Sequence, residues 1–344
     1  MRIAELVEIG KIEVREAERP PRPGPGELLI RTRAVGLCGT DLKAYLRGHP
    51  FFPPPCVLGH EFTGTVAEVG AGAVGFAVGD AVVAAPYLEC GECALCRAGA
   101  GELCANKAFT SGALQEFILL PRAIVERATI HLPEDVDYVT GSLAEPLACA
   151  INGIERAAIE PGHSVLVVGG GPMGALLALT AASITTRVLV SEIAPARIKV
   201  LERLDLPVVS PRQEVVPERL QAAFGQPRAD KVLIAVGVRS VAEEALAWTA
   251  PGGTALLFGG LPKDERLTVD PYAIHYQEVS LVGSFGFQLS HFQAAVRWLA
   301  DHTAEAAHLV TETVSFDAVE QAFALAKNAD GLKTVVTFGD PHVP

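Results

Sequence analysis

The stretch Ser164–Glu192, SVLVVGGGPMGALLALTAASITTRVLVSE, decides the fold. Its first apolar run ends in three glycines of the pattern G-x-G-x-x-G, Gly169, Gly171 and Gly174, directly before a predicted helix. Such a turn lets backbone N–H groups and the helix N-terminus approach a pyrophosphate. A second apolar run closes on Glu192, where an acid can bind ribose hydroxyls. The stretch therefore predicts a βαβ unit of a parallel sheet that binds a dinucleotide.

The same stretch is apolar enough to allow a second interpretation, a transmembrane helix. Between Ser164 and Val190 the charged residue is Arg187. However, Gly169–Pro172, three glycines and a proline, interrupts the stretch near its start. A strand, a tight turn and a buried helix explain this pattern better. We therefore expect no membrane partner.

Further apolar runs extend the predicted sheet beyond this unit. Buried parallel strands separated by helices are expected at Ser164–Val168, Arg187–Ser191, Lys231–Ala235 and Thr254–Phe258. After them, the sequence predicts amphipathic helices near Ser290–Ala300 and Phe316–Lys327 and a terminal strand at Thr334–Phe338.

The N-terminal part of the chain has a different texture. Met1–Val14 alternates apolar and charged residues and predicts a first strand. Short β-branched runs follow at Glu27–Ala34, Glu61–Val69 and Asp80–Ala84, separated by turns rich in glycine and proline. This pattern indicates an all-β module, which gives way to alternating strands and helices around Ala144.

Length and charge limit the possible functions. A chain of 344 residues is longer than a typical single domain, so two domains are expected. The net charge of −12 disfavours nucleic acids and anionic membranes, which need a basic face. Seven cysteines without an export signal predict a reducing compartment, and we expect a cytoplasmic location.

Four of the cysteines are closely spaced in CGECALCRAGAGELC, namely Cys90, Cys93, Cys96 and Cys104. Four thiolates on short loops can close a tetrahedron around Zn²⁺ and form a structural site without an open position. Free cysteines are normally buried among apolar residues, whereas these lie among glycine, glutamate and arginine. The spacing predicts a metal site, although it leaves an iron–sulfur cluster open.

A second candidate metal site is scattered along the chain. Cys38 lies in GLCGTD, His60 and Glu61 lie in GHE, and Glu145 lies in AEP. A thiolate, an imidazole and a carboxylate can hold zinc and leave one position open for a substrate, as catalytic zinc requires. Asp41 is a candidate acceptor that fixes the imidazole of His60. Singly, each residue is better explained as structural, so only the combination indicates a site.

These motifs together resemble the zinc-containing medium-chain dehydrogenase superfamily over essentially the whole chain. The segment Gly59–Asp80, GHEFTGTVAEVGAGAVGFAVGD, matches the zinc signature of that family, and CGTD, the four cysteines, LAEPLACA and GGGPMG occur in the expected order. Within the family, the chain is most similar to polyol (sorbitol-type) dehydrogenases and L-threonine 3-dehydrogenases.

The resemblance implies an α/β protein with a GroES-like β-barrel catalytic domain and a Rossmann domain, a doubly wound parallel sheet that binds the cofactor. The expected bounds are residues 1–150 for the catalytic domain, with a structural-zinc lobe at about residues 88–106, and residues 151–285 for the Rossmann domain. Residues 286–344 are expected to return to the catalytic domain. Dimers or tetramers are usual in the family, so a homo-oligomer is expected.

The resemblance also implies roles for individual residues. Cys38, His60 and either Glu61 or Glu145 would hold a catalytic zinc, and Thr40 would take the proton from the alcohol. The four closely spaced cysteines would hold a structural zinc, which gives two Zn²⁺ per chain. In one departure, Lys43 stands where many relatives have the histidine that ends the proton relay, so the proton route beyond Thr40 stays open.

The cofactor residues follow from the same resemblance. Glu192 would repel a 2′-phosphate and favours NAD over NADP, although the nearby Arg197 weakens that preference. The full expected set is Gly169, Gly171, Pro172, Met173, Gly174, Glu192, Arg197, Val236 and Phe258.

The expected activity is hydride transfer from a secondary alcohol to NAD, with zinc as the Lewis acid on the substrate oxygen. A polyol, inositol or sugar derivative is the leading substrate hypothesis, and L-threonine and simple secondary alcohols stay open. A non-catalytic nucleotide-binding protein is a remote alternative, since such a descendant would be expected to lose the zinc ligands. Residues expected near the substrate are Tyr45, His49, Phe51, Phe285 and Phe287, whereas Cys56 and Cys149 are predicted to be structural.

Overall fold

The protein is described here from a computed structural model, which covers residues 1–328 and 331–339. The chain forms two compact units. The first contains Met1–Ala148 and the described residues from Phe287 onward, and the second contains Cys149–Gly286. Among the described residues, no helix combines the length and apolarity needed to cross a bilayer.

The N-terminal part of the first unit is rich in short strands. Its strands are β1 (Arg2–Glu8), β2 (Lys11–Glu16), β3 (Leu28–Gly36), β4 (Cys56–Val57), β5 (Glu61–Val69), β6 (Ala81–Ala84), β7 (Tyr87–Leu88), β8 (Ala108–Phe109), β9 (Phe117–Leu120) and β10 (Thr129–His131). Its helices are α1 (Gly39–Arg47), α2 (Ala94–Arg97), a 3₁₀ turn at Gly101–Leu103, α3 (Arg122–Ala128), α4 (Tyr138–Gly141) and the start of α5 (Ala144–Arg156).

The first predicted strand is corrected to a hairpin. Instead of one strand over Met1–Val14, β1 and β2 pair antiparallel and are joined at Ile9 and Gly10. Gly10 has φ of +82°, a left-handed conformation that glycine adopts without steric cost and that ends the strand there.

The second unit alternates strands and helices, as predicted. Its strands are β11 (Val165–Val168), β12 (Val188–Ser191), β13 (Val208–Val209), β14 (Ala229–Ile234), β15 (Thr249–Leu257) and β16 (Ser280–Gly283). Its helices are α6 (Pro172–Ala182), α7 (Pro195–Arg203), α8 (Val216–Phe224), α9 (Arg239–Leu246) and α10 (Pro271–Tyr276).

All six strands of this unit are parallel, in the order β13-β12-β11-β14-β15-β16. Counted from β11, this is the order 3-2-1-4-5-6 of a doubly wound Rossmann sheet, in which ligands bind where the order reverses. Here the reversal lies between β11 and β14. The predicted α/β class is confirmed, and Ser164–Val190 contains β11, the glycine turn, the buried helix α6 and most of β12 rather than a membrane span.

The chain then returns to the first unit. It forms α11 (Leu289–Asp301), α12 (Thr303–Ala307), β17 (Val310–Ser315), a 3₁₀ turn at Phe316–Ala318, α13 (Val319–Asn328) and β18 (Lys333–Thr337). The predicted helix near Ser290 is confirmed, and the predicted helix at Phe316 begins as a 3₁₀ turn before α13.

One sheet of the first unit places the candidate site. Its path is β10-β6-β5-β3-β18-β17, with β9 also paired to β3. Strand β3 therefore lies between β5 and β18, and Gly36 pairs with Glu61 on one side and Val335 on the other. This pairing brings the end of β3 next to the starts of β5 and β18.

Candidate active site and metal centres

Three predicted ligands converge in the first unit. The ligand atoms of Cys38, His60 and Glu61 all lie within 4.8 Å of one another. Cys38 follows β3 and is the N-cap of α1, and Glu61 is the first residue of β5, directly after His60. The close packing of β3 against β5 thus assembles residues that are distant in sequence.

Asp41 contacts both chain segments that carry these candidate ligands. Its carboxylate is fully buried and accepts hydrogen bonds from the backbone N–H groups of Cys38 and Gly59, each at 3.0 Å. Oδ1 also lies 3.4 Å from Nδ1 of His60. Burial alone would raise the pKa of Asp41, but His60 and the two N–H donors outweigh it and lower that pKa. Burial likewise opposes the charged form of His60, yet Asp41 raises the pKa of His60 well above its usual value.

Glu61 is paired with a lysine that the sequence did not indicate. Nζ of Lys333 donates to Oε1 of Glu61 at 2.6 Å and also contacts Oε2. The side chains of Lys333 and Glu61 are 3% and 0% exposed. Burial would lower the pKa of Lys333, but the carboxylate of Glu61 raises it above its usual value. Lys333 is therefore protonated and contacts the Glu61 carboxylate in the protein interior.

Glu145 lies in the first turn of α5 and is 7% exposed. It is outside the group of ligand atoms within 4.8 Å of one another. Burial, together with the charge of Glu61, raises the pKa of Glu145 to about 7, against the opposing effects of His60 and Lys333. Its pKa responds to His60, Glu61 and Lys333, so both glutamates stay candidates for the third ligand.

The chemistry of this group suits zinc. A thiolate, an imidazole and a carboxylate are common zinc ligands, and three of them leave a position open. Nδ1 of His60 faces Asp41, which leaves Nε2 of the ring for a metal. Glu61 Oε2 is buried and makes no hydrogen bond within the described residues, although Nζ of Lys333 lies at ion-pair distance from it. Buried polar atoms without hydrogen bonds are rare, and a bound cation would use the free lone pairs of this oxygen.

The four closely spaced cysteines also converge. Their sulfur atoms are separated by 3.4 Å (Cys93–Cys96), 3.5 Å (Cys90–Cys104) and 3.8 Å (Cys90–Cys96 and Cys93–Cys104). A zinc tetrahedron with bonds of about 2.3 Å has edges of about 3.8 Å, which fits these separations. Backbone N–H groups of Cys90 and Asn106 donate to Sγ of Cys104 and lower its pKa, which favours a thiolate ligand.

The glycine turn of the second unit has the geometry of a phosphate-binding loop. Gly169 follows β11 with φ of +97°, and Gly171 is the N-cap of α6, with Pro172 in its first turn. A Cβ at Gly174 would overlap the carbonyl oxygen of Gly169. Glycine is therefore required where the helix packs against the turn, and the N-terminus of α6 is free of a side-chain cap.

Glu192 is directed at this turn from the end of β12. Its Oε2 accepts from Gly170 N–H at 2.8 Å, and its Oε1 accepts from Ile193 and Ala194 N–H at 2.6 and 2.8 Å. The guanidinium of Arg197 lies 3.4 Å from the position of a Cβ on Gly171. A carboxylate and a guanidinium thus flank the glycine turn.

The remaining predicted cofactor residues lie at the same sheet edge. Val236 and Phe258 come just after β14 and β15, at the carboxyl ends of two neighbouring strands. Val236 packs against the core of the sheet and adjoins Gly169 across the reversal of strand order. Met173 lies in the first turn of α6. Ligands of doubly wound folds bind at this edge.

Comparisons with known proteins agree with these observations. Residues 24–134 match the alcohol dehydrogenase GroES-like domain, and residues 140–338 match the C-terminal part of glucose dehydrogenase. The chain is 33% identical to L-galactonate-5-dehydrogenase of Escherichia coli over 326 residues, 92% of this chain and 94% of that protein. The chain belongs to the zinc-containing medium-chain dehydrogenase superfamily. It is thus a zinc-dependent alcohol dehydrogenase that uses NAD or NADP, and the predicted family, fold class and enzyme class are confirmed.

Other relatives of this dehydrogenase agree. The chain is 36% identical to D-altritol 5-dehydrogenase of Agrobacterium fabrum over 294 residues, 83% of this chain and 84% of that protein. It is similar to a protein of Sinorhizobium meliloti described as a zinc-binding dehydrogenase and solved with NADP, with a TM-score of 0.87, 29% identity and 98% coverage of both chains. 2R,3R-butanediol dehydrogenase of Bacillus subtilis gives a TM-score of 0.86 at 26% identity, with coverage of 98% and 99%.

Aromatic side chains extend from the candidate site of the dehydrogenase. The ring of Phe52 stacks on His60 with a centroid distance of 6.4 Å, and His49 lies 5.5 Å from Phe52 and 5.4 Å from Phe51. Phe51 is strongly exposed. His49 and Phe51 are therefore linked to the candidate ligand His60 through Phe52, a residue that the sequence analysis did not single out.

The other residues expected near the substrate are placed differently. Tyr45 lies in α1 and packs against Phe323, with ring centroids 4.9 Å apart. Phe287 is a core residue of the first unit, stacked on Tyr87 at 4.5 Å, and its burial follows from that packing. Phe285, in the second unit, is largely exposed. Thr40 is half-buried in the first turn of α1, and Lys43 is exposed on the same helix.

Lys333 and Phe52 are the two residues near the candidate ligands that sequence reasoning missed. Lys333 lies in a strand of otherwise uncharged residues, KTVVT, and a charged residue in a buried strand was the available signal. Phe52 lies next to Phe51 in a loop, where no periodicity distinguishes one aromatic residue from the other.

Proposed function

We propose that this dehydrogenase oxidises a secondary hydroxyl of a polyol, an inositol or a sugar derivative, with NAD as the hydride acceptor. The observation that supports the reaction is the convergence of Cys38, His60 and Glu61 within 4.8 Å, with Asp41 bound behind them. Three ligands leave one position for the substrate oxygen, as catalytic zinc sites require.

In this proposal each residue of the site has a separate role. Cys38, His60 and either Glu61 or Glu145 hold the metal, which when bound supplies Lewis acidity toward the substrate oxygen, while the nicotinamide accepts the hydride. Asp41 orients His60. Thr40, two residues after Cys38, would relay the substrate's hydroxyl proton outward, releasing its own hydroxyl proton as it takes up the one from the substrate. The route beyond Thr40 differs from that of many relatives because Lys43 replaces the histidine.

A second zinc is proposed at Cys90, Cys93, Cys96 and Cys104, where it closes the lobe and takes no part in chemistry. The support is the near-tetrahedral spacing of the four sulfur atoms, from 3.4 to 3.8 Å. This assignment gives two zinc ions per chain.

NAD is proposed over NADP because Glu192 directly follows β12 and contacts the glycine turn. Oε2 accepts only the Gly170 N–H and can accept a further hydrogen bond from a ribose hydroxyl, whereas a 2′-phosphate would be repelled by the carboxylate. Arg197 offers a phosphate partner nearby, so steady-state kinetics with both cofactors test the preference directly.

The substrate class rests on the names of the relatives and on the residues around the site. The two relatives named above act on L-galactonate and D-altritol, polyhydroxylated six-carbon chains. His49 can bind a hydroxyl in the first unit, and Phe51 and Phe52 give apolar walls. L-threonine and simple secondary alcohols are the alternatives that a substrate panel separates.

A homo-oligomer is proposed through the exposed edge of the second unit. β16 is the last strand of its sheet, and α10 next to it exposes Tyr272, Ile274 and Tyr276 at 57, 41 and 71%. A row of unpaired backbone groups flanked by exposed aromatics suits pairing with a second copy. We propose the cytoplasm as its compartment, because five of the seven cysteines are candidate metal ligands, which must stay reduced.

The test is zinc content by elemental analysis on protein assayed with L-galactonate, D-altritol, myo-inositol, L-threonine and 2-butanol. We expect two zinc ions per chain, turnover of a polyol or sugar acid with NAD, and one zinc with no turnover in Cys38→Ser. Activity confined to L-threonine or 2-butanol would overturn the substrate class. No turnover of any compound by the protein with two zinc ions would favour the non-catalytic alternative.

A further inference from the structure

Lys333 and Glu61 form an ion pair in the interior of the first unit. Nζ of Lys333 contacts both oxygens of Glu61, and the residues are 272 positions apart in sequence. Glu61 is also within ligand distance of Cys38 and His60. One carboxylate therefore has two possible cationic partners, the lysine and a metal bound by its neighbours.

A glycine on the strand between them leaves space for the contact between Lys333 and Glu61. Gly36 of β3 lies between Glu61 on β5 and Val335 on β18. A Cβ at Gly36 would overlap Glu61 Oε2 and would lie 3.0 Å from Cε of Lys333. A side chain at this position would separate the two groups, so the glycine permits the contact.

The charges explain why a lysine belongs here. Cys38, Asp41 and Glu61 bring three acidic side chains close to the candidate metal position, and Glu145 is a fourth in the same unit. Lys333 adds a cation to this group while contacting Glu61, without occupying a coordination position. A buried carboxylate that loses its lysine turns to the nearest remaining cation, because an unpaired buried charge is costly.

We propose that Lys333 is a positioning residue that draws Glu61 away from the catalytic metal, so that Glu61 is a weak ligand that the substrate oxygen displaces. This inference rests on the proposed function, since it assumes a metal held by Cys38, His60 and Glu145. Without Lys333, Glu61 binds that metal firmly as a fourth protein ligand and occupies the position that the substrate needs.

The experiment measures the rate at which a chelator removes zinc from the Cys38 site. The kinetic phase that belongs to this site is identified as the one that is absent in Cys38→Ser. We expect Lys333→Met to slow this phase by about tenfold or more, and to lower kcat, since changes to groups that orient ligands alter metal affinity by about 10–100-fold. Lys333→Arg restores the wild-type rate. The matched control is Lys231→Met, which removes another buried lysine, in the second unit, and leaves the phase unchanged.

Glu61→Gln completes a double-mutant cycle. In the wild-type background it changes zinc loss by less than about threefold, whereas in the Lys333→Met background it accelerates zinc loss by about tenfold or more. A Lys333→Met protein that loses zinc at the wild-type rate or faster would overturn the inference. Should Lys333→Met not fold, Glu61→Gln alone decides, because a tenfold faster loss would show that Glu61 already binds the metal firmly.

The two proposals fail in different ways. If Cys38→Ser retains the zinc content and turnover of the wild type, the proposed catalytic site is wrong. If the wild type has the Cys38-dependent zinc and turns over its substrate while Lys333→Met matches it in zinc loss, only the role of Lys333 is wrong.

Discussion

At the scale of single residues, Asp41 connects the chain segments that present two candidate ligands. Its carboxylate accepts from the N–H of Cys38 and from the N–H of Gly59, directly before His60, and it also faces the imidazole of His60. An amide in its place has one acceptor oxygen and two donor hydrogens, and would oppose one of these N–H groups. The geometry of both ligands therefore depends on the carboxylate.

We expect Asp41→Asn to lower the zinc affinity of the Cys38 site or the turnover rate by about 10–100-fold, because His60 is then oriented less firmly. Competition titration against a chromophoric chelator measures the affinity. The matched control is Asp80→Asn, at a partly exposed aspartate 3.8 Å from His131 in the same unit. Equal zinc affinity in Asp41→Asn and Asp80→Asn would refute this role of Asp41.

At the scale of structural elements, the cysteine lobe has little regular structure of its own. Between Cys90 and Cys104 it contains only α2, of four residues, and a 3₁₀ turn of three. Short elements of this kind bury too little apolar surface to be stable alone, so a metal is expected to fix them.

Cys93→Ser is expected to remove one zinc per chain and to lower the midpoint of thermal unfolding by roughly 5 °C or more, because metal binding contributes to folding. Calorimetry and elemental analysis measure both effects. Cys56→Ser, at a thiol outside the lobe, is the control and keeps both zinc ions. A Cys93→Ser protein with unchanged zinc content would contradict the assignment.

A second element-scale contact joins the starts of two parallel strands. Oδ2 of Asp230 on β14 accepts from Ser164 N–H at 2.8 Å and from its hydroxyl at 2.6 Å, just before β11. Burial would raise the pKa of Asp230, but the hydrogen bonds from Ser164 lower it below its ordinary value of 3.8. The stabilisation is therefore present above that value and is lost as the pH falls through the lowered pKa.

Asp230→Asn is expected to lower the free energy of unfolding by about 1 kcal/mol at pH 7, since the bond loses its charge and the group is partly exposed. The difference from the wild type should shrink as the pH falls below about 4. Urea unfolding at pH 7, 5 and 3 measures it, with Ser164→Ala completing the cycle. A difference that persists unchanged at pH 3 would rule out the charge as its origin.

At the scale of the whole molecule, the edge of the second unit is the candidate for assembly. β16 pairs with β15 on one side, and α10 presents its exposed tyrosines nearby. Exposed strand edges are normally covered or blocked by charge. The apolar character of this edge therefore favours a partner over solvent.

Replacing Tyr272 and Tyr276 together with serine is expected to lower the molar mass in solution toward the 36.2 kDa of one chain, because the buried aromatic area of the interface is lost. Light scattering coupled to size exclusion measures the mass. Val74→Ser, at an apolar residue that is 88% exposed in the first unit, is the control and keeps the wild-type mass. A wild-type monomer would contradict the proposed assembly.

Across these scales, the sequence by itself determined the features that local patterns encode. Gly169, Gly171 and Gly174 after an apolar strand predicted the Rossmann unit, since glycine suits the positive φ of Gly169 and the close approach of Gly174 to the Gly169 carbonyl. The spacing of four cysteines in one short loop predicted their convergence, because a short loop cannot hold them far apart. The turn at Gly10 was missed since the alternation of apolar residues continues across it.

The tertiary structure alone decided the contacts between distant segments. The partner of Glu61 is Lys333, which comes next to it through the pairing of β3 with both β5 and β18, and no local pattern encodes strand order in a sheet. The burial of Phe287 and the stacking of Phe52 on His60 likewise depend on packing between elements. The sequence determines which side chains are present. Strand pairing over long sequence distances determines which of them become neighbours, and therefore which pKa values shift and which residues can bind one metal together.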